Sequence, residues 1–388
     1  MVEVSNLRRY NTGKGMVRIE ADINFTEMDS PYPLKTIYFE TKEEYADMLD
    51  DESYNAFVLV PLFVAMFHKQ DLHICGKISR QLYHNVKCYV WKIFCDYSPN
   101  LAPVNFTVDG FTESKENNNG ITGASISSGV DALATIYDHF ICEEIPNYKI
   151  NALFYFGHDR KNSPTNKSGQ NRFRTLLLKN QKVAQALNLP FYYLVTNLSA
   201  FNIVINKLRG GNTISMSYIA LYSCILSLGR KISRYYIASA LTYEQEKIFR
   251  KASHDKDMSE FCEAYLVPLI RTEQTELILD GCQYRRVEKL KRIVDWDIAR
   301  KFLNVCWFNP PDGSNCGECL KCLRTLLALE IMGKLDDYSD VFDIEKYKSS
   351  SLKYKRLCLR KYNKAPFETE NVDFARENNY PMPTLEKK

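Results

Sequence analysis

Apolar and polar positions change rhythm about a third of the way along the chain. Val17 to Phe25 and Lys35 to Glu40 alternate with period two and predict strands. Ala56 to Phe67 is a nearly continuous apolar run and predicts a buried segment, helix or strand. His84 to Cys95 alternates aromatic and polar residues and predicts another strand. Thr112 to Asn119 (TESKENNN) is polar throughout and predicts a linker. Residues 1–112 therefore read as one N-terminal α+β unit of unassigned role.

Beyond the linker, short apolar runs alternate with longer amphipathic ones. Ile121 to Ser127, Lys149 to Phe156, Pro190 to Thr196, Arg234 to Ala240 and Leu303 to Phe308 predict strands. Asp131 to Cys142, Arg172 to Leu187, Ser215 to Leu228 and Arg286 to Val294 predict helices. Such alternation implies an α/β fold, with a parallel sheet and right-handed crossovers. No internal repeat is visible. The last part, 336–388, predicts a polar tail. From Lys346 to Lys364 it carries eight Lys or Arg and no acid, with Tyr347, Tyr354 and Tyr362 interleaved. That pattern fits either a solvated basic helix or a nucleic acid contact.

Composition narrows the class. The 388 residues are 45% hydrophobic and 25% charged, as in soluble globular proteins. A net charge of +4 is too small to imply nucleic acid by itself. Met1 to Asn24 has no continuous apolar core, and the run at Ala56 to Phe67 contains Pro61 and is too short to span a bilayer. The expectation is a cytoplasmic protein without a membrane segment. Its 12 cysteines then read as free thiols plus a metal site rather than as a disulfide framework.

Four of those cysteines carry the strongest chemical signal. Cys306, Cys316, Cys319 and Cys322 follow C-x9-C-x2-C-x2-C. Thiolates at such intervals can close a tetrahedral shell around one zinc ion, and a full shell makes the metal structural. An iron–sulfur cluster is the alternative. The second signal is weaker. Ser127-Ser128-Gly129-Val130-Asp131 lies where the first strand of the sheet turns into its helix. Unpaired N–H groups and the positive helix end make that junction a natural anion site.

The loop resembles the pyrophosphate loop of the PP-loop, N-type ATP pyrophosphatase superfamily, Ser-Gly-Gly-x-Asp-Ser. Ser127, Gly129 and Asp131 match, while Ser128 and Ala132 depart from it. Together with the cysteine cluster and the trailing Leu323-Arg324, it is similar to the 7-cyano-7-deazaguanine synthase family over about residues 120 to 335. The segment Asp280 to Lys289 looks like a hallmark of a longer, divergent branch.

The resemblance implies a Rossmann-like sheet of the adenine nucleotide alpha hydrolase type, ATP and Mg²⁺ as cofactors, and an ATP-dependent ligase or synthase. ATP would adenylate a carboxylate or amide oxygen and release pyrophosphate; a nitrogen nucleophile would then displace AMP. Ser127, Ser128, Gly129 and Val130 would cradle the pyrophosphate, Asp131 would place the loop or a Mg²⁺ ion, and backbone at Gly157-His158 would meet the adenosine. Relatives in anti-phage defence operons extend the expectation to a deazapurine or other small carboxylate substrate and to a partner protein from the same operon.

Three cations remain. Arg286 and Lys289 share a helix face and fit either a phosphate or carboxylate substrate or a surface ion-pair face. Arg324 follows the zinc ligands and is a candidate for the active-site mouth. His158 fits either acid–base chemistry or a turn cap. Two rival functions stay open: a tRNA-modifying relative, suggested by the basic tail, and a non-catalytic nucleotide-binding scaffold, suggested by Ser128 and Ala132.

Overall fold

Alternation builds the first strands. β1 (Val2–Asn11), β2 (Met16–Phe25) and β3 (Thr36–Lys42) form an antiparallel meander. In β2, Val17, Ile19, Ala21 and Ile23 all point into the core, as period two requires. The apolar run that follows is helix α1 (Leu59–His68), buried from Leu59 to Met66 and so apolar on every side. β4 (Leu72–Ile78) and β5 (Phe106–Phe111) add to the β1 edge in parallel. The structure is a computed structural model describing residues 1–113, 120–158, 167–210, 215–252 and 262–385. The expected linker falls largely outside them.

His84 to Cys95 is not a strand. It lies in one helical stretch made of α2 (Arg80–Asn85), a π-turn at Val86–Val90 and α3 (Trp91–Tyr97). Leu82, Val86, Val90, Phe94 and Tyr97 are its buried apolar residues, at steps of four, four, four and three. That stripe outweighs the local aromatic–polar alternation. Ser79 caps the start by accepting from the Leu82 amide at 3.0 Å.

The second half follows the expected alternation. Its elements are β6 (Ile121–Ser125), α4 (Val130–Ile136, continuing as a π-turn to Cys142), β7 (Ala152–Gly157), α5 (Lys167–Ala186) and β8 (Phe191–Thr196). After them come α6 (Ser199–Leu208), α7 (Ser217–Leu226), β9 (Ile232–Ala238), α8 (Tyr243–Ala252), α9 (Glu263–Leu266) and β10 (Glu276–Asp280). α10 (Arg286–Ile293), α11 (Asp297–Phe302) and α12 (Leu320–Ile331) complete this part. The fifth parallel strand is β10, not Leu303 to Phe308. That segment forms no ladder; a loop carbonyl takes the amide of Asn304 and the Asn315 side chain that of Val305.

Among the described residues, ten strands join in one sheet, in the order β10-β9-β6-β7-β8-β3-β2-β1-β4-β5. β10 to β8 run parallel, and β3 pairs antiparallel with β8 at Phe39↔Thr196, Glu40↔Val195 and Thr41↔Leu194. Residues 1–112 thus extend the sheet of the second half. Their core is shared as well: Phe39 and Phe57 pack in the same cluster as Tyr222, Ile225 and Tyr235. The opposite face is covered by α4, α10 and α12, joined by α13 (Ile344–Arg360) and α14 (Pro366–Glu377). The expected tail is therefore largely two packed helices. Tyr347 and Tyr354 are core residues, 1% and 2% exposed, and are withdrawn from any stacking on bases. No described helix is long and apolar enough to cross a membrane.

Candidate functional site

β6 ends at the middle of the parallel half, where its neighbours β7 and β9 lead in opposite directions through the fold. Ligands in open α/β sheets bind at such a switch point, beyond the carboxyl ends of the strands. Ser127, Ser128 and Gly129 make the turn there, and α4 begins at Val130. Ser128 has φ +57°, the left-handed region that normally calls for glycine. This is the position where the pyrophosphate-loop pattern has glycine. Two asparagines brace it: the Ser128 hydroxyl donates to Asn180 Oδ1 of α5 at 2.7 Å, and the Asn304 amide donates to the Ser128 carbonyl at 2.7 Å. Ser127 is exposed, with its hydroxyl 3.4 Å from the Gly129 amide.

The other flank of the loop is charged. Asp131, with 18% of its side chain exposed, forms an ion pair with Arg286 and lies 3.7 Å from Lys289 Nζ. Burial alone would raise its carboxyl pKa. The charges of Arg286, Lys289 and Lys321 outweigh burial and hold it below the usual carboxylate range. Lys289 is 1% exposed and donates to the Ser239 carbonyl at 2.6 Å, beyond the end of β9. Gly281, at φ +83°, makes room for it; a Cβ there would sit 2.9 Å from Lys289 Cε. Asp280 ends β10 and accepts from Thr135 at 2.6 Å and from His139 Nε2 at 2.9 Å. The His139 ring stacks on Tyr236 with centroids 3.9 Å apart.

Arg286 and Lys289 do share one helix face, and that face meets Asp131. Arg324 points instead to α14, 3.4 Å from Glu368 and over the ring of Phe367 at 4.1 Å. Beside it, Glu370 lies near the Arg286 amide (3.3 Å) and Gln245 (3.3 Å), and burial pushes its carboxyl up to about 7. Gly157 ends β7, and His158 Nδ1 lies 3.2 Å from the Phe156 carbonyl.

The four cysteines converge. All their sulfurs lie within 4.8 Å of one another, with separations of 3.5 Å (Cys319–Cys322) and 3.9 Å (Cys306–Cys319, Cys316–Cys322). A tetrahedron of zinc–thiolate bonds near 2.3 Å has edges of roughly 3.8 Å, so the donors fit a metal ion such as zinc. The amides of Asn309 and Cys316 point at Cys306 Sγ (3.1 and 3.4 Å), and that of Cys319 at Cys316 Sγ (3.3 Å), as thiolate charge favours. Cys306 lies two residues after Asn304, which holds Ser128, so the cysteine cluster and the loop share one strap.

The chain matches no known family model, curated protein or solved structure. The site is therefore read from its own geometry. Sequence reasoning reached the loop, the cysteines, Arg286 and Lys289. It missed Asn180, Asn304, Ser239, Thr135, Glu368 and Glu370, which carry no local motif. Asp280 and His139 lay in noticed segments, but nothing in either segment indicated that they pair.

Proposed function

We propose that this chain is an ATP-dependent enzyme of the adenine nucleotide alpha hydrolase type, similar to 7-cyano-7-deazaguanine synthase. It would adenylate a carboxylate or amide oxygen and pass the activated group to a nitrogen nucleophile. The observation that carries the reading is the left-handed Ser128. Its backbone takes the left-handed conformation that glycine adopts most readily, at the position where the pyrophosphate-loop pattern has glycine and at the sheet's switch point. The parallel strands, numbered from β6, stand in the order 3-2-1-4-5, which suits nucleotide binding at that point.

The chemistry requires a good leaving group, and adenylation turns a carboxylate oxygen into one. In this reading Ser127 and the amides of Gly129 and Val130 hold the departing pyrophosphate. Asp131, tied to Arg286 and Lys289, positions the loop, and Mg²⁺ enters with the ATP phosphates. Arg324 acts through α14. The metal centre, with four protein ligands, braces the loop and stays outside the reaction. A deazapurine-type carboxylate, with or without a partner protein, is the substrate class this reading favours. The tRNA-modifying alternative loses the stacking part of its motivation, because Tyr347 and Tyr354 are core residues.

The test is pyrophosphate release from ATP in the presence of 7-carboxy-7-deazaguanine and ammonium. Wild type should release it, and Ser127→Ala and Asp131→Ala should each lower the rate about a hundredfold. ATP binding by wild type without any release would favour the scaffold alternative and reject the enzyme.

A further inference from the structure

The ion pair between Arg286 and Asp131 has a rival in the same interior. α14 sets Glu370, only 4% exposed, against the start of α10. There its Oε2 accepts from the Arg286 amide and from Gln245 Nε2 of α8, each at 3.3 Å. Glu370, Asn371, Arg286 and Arg324 line one small cleft together with Val130, the first residue of α4. Among the described residues, no ion pair within 4.0 Å joins Glu370 to either arginine; Arg286 is paired with Asp131 and Arg324 with Glu368. Both guanidinium groups nevertheless keep a donor in reserve. Nε of Arg286 and Nε of Arg324 are buried and have no hydrogen-bond partner among the described residues. A buried N–H without a partner is costly, and a carboxylate is the acceptor that satisfies a guanidinium best. Glu370 is thus a second carboxyl offered to an arginine that already serves the loop.

The two carboxyls differ in charge. Burial works against the charge on Asp131, but Arg286, Lys289 and Lys321 keep it ionised. Burial prevails at Glu370 and pushes it up to about 7, against the pull of Arg286, Gln245 and Arg324. A protonated Glu370 is neutral and leaves Arg286 to Asp131. An ionised Glu370 is a buried charge in need of a partner, and Arg286 attracts it more than any other charge does. The remaining groups around it are Glu368 on its own helix, held by Arg324, and Tyr354 of α13, which burial keeps protonated. Glu246 follows Gln245 on α8 and is itself pushed up to about 7 by burial. We propose that Glu370 is a positioning residue: it competes with Asp131 for Arg286, and its gain or loss of a proton tightens or loosens the loop that opens α4. The loop is held firmly while Glu370 is neutral and loosens as pH rises past about 7. For its effect on catalysis the proposal rests on the reading of the loop as an ATP site; the hold on the loop does not.

The experiment follows the amide resonances of Gly129 and Val130 by NMR in the full chain without nucleotide, from about pH 5 to pH 9. Wild type should show a step with its midpoint near 7. Glu370→Gln, neutral at every pH, should lose the step and keep the resonance positions of the acid form. Glu246→Gln and His139→Gln should leave it in place. A step that survives Glu370→Gln, or that vanishes with either of the other two, overturns the proposal. So do wild-type loop amides that do not titrate. Melting temperatures show whether the variant folds and carry their own sign. Glu370 is raised above its unfolded value of about 4.3, so wild type loses stability as pH climbs from there to the folded value, and Glu370→Gln does not. The catalytic consequence is read separately, as pyrophosphate release from ATP across the same pH range. Release should decline past neutral pH in wild type and stay level in Glu370→Gln; an equal decline in both would overturn the catalytic part. Loop titration without pyrophosphate release at any pH would keep the positioning role and reject the enzyme reading beneath it.

Discussion

Ser128 shows how a single departure from a motif is absorbed. A left-handed conformation costs a non-glycine residue about 1–2 kcal/mol. The hydroxyl bond to Asn180 returns about 1 kcal/mol, and the Asn304 amide holds the carbonyl in place. Ser128→Gly should therefore leave stability within about 1 kcal/mol of wild type, since it removes the strain and the bond together. Ser128→Ala keeps the strain, loses the bond and leaves Asn180 Oδ1 short of a donor. It should fall about 1–2 kcal/mol below the glycine variant in urea unfolding. Equal stability of the two variants would show that the turn carries no left-handed cost. The sequence marked position 128 as a departure. It could not reveal that the backbone adopts the glycine conformation regardless, because Asn180 lies 52 residues away.

At the scale of elements, α4 is tied to β10 by the bond between His139 and Asp280. Burial opposes the charge on His139, but the hydrogen bond and charge of Asp280, with Asp138 and Glu143 nearby, raise its pKa above the ordinary value. Burial likewise opposes the charge on Asp280, yet His139, Thr135 and Lys289 hold its pKa below the usual value. The raised imidazole contributes stability in full below its unfolded pKa of about 6.5, and that contribution is lost as pH rises through the folded value. The depressed carboxyl contributes above about 3.9 and loses its share as pH falls through its own lowered value. The melting temperature of wild type should thus decline more than that of His139→Gln between about pH 6 and pH 9. Parallel curves would mean that the pair does not carry the link. At this scale the sequence predicted a helix where His139 stands but no partner for it. Helical periodicity orders a segment's own faces and is silent on what those faces meet.

For the whole molecule, the strap from Leu303 to Cys306 matters most. It holds the loop through Asn304 and joins the cysteine cluster through Cys306. Ligation of a metal such as zinc would gather these residues and α12 around one point, and structural sites of this kind contribute directly to folding free energy. Chelation, or Cys319→Ser, should lower the melting temperature by several degrees. It should also speed hydrogen exchange at the amides of Gly129 and Val130, more than at those of the distant β2. Loop exchange unaffected by metal removal would show the two sites to be independent. The strap also explains why Leu303 to Phe308 reads as a strand in sequence. Leu303, Val305 and Cys306 are buried while Trp307 and Phe308 are exposed, and a loop carbonyl and the Asn315 side chain take the amides of Asn304 and Val305 in place of a ladder.

The sequence by itself determined the local matters: the first four strands of the second half and the helices between them, the four-cysteine spacing, and a small-residue turn ahead of a helix. These depend on neighbours a few residues apart, where periodicity and ligand reach apply. Only the tertiary structure decided that residues 1–112 share a sheet and a core with the rest, and that the basic tail is two packed helices. It alone showed that Arg286 and Lys289 serve Asp131 and that Arg324 faces Glu368. Each of these rests on pairing across long stretches of chain. The free energy of such pairing comes from burying complementary surfaces and charges, which no single segment displays before the chain is folded.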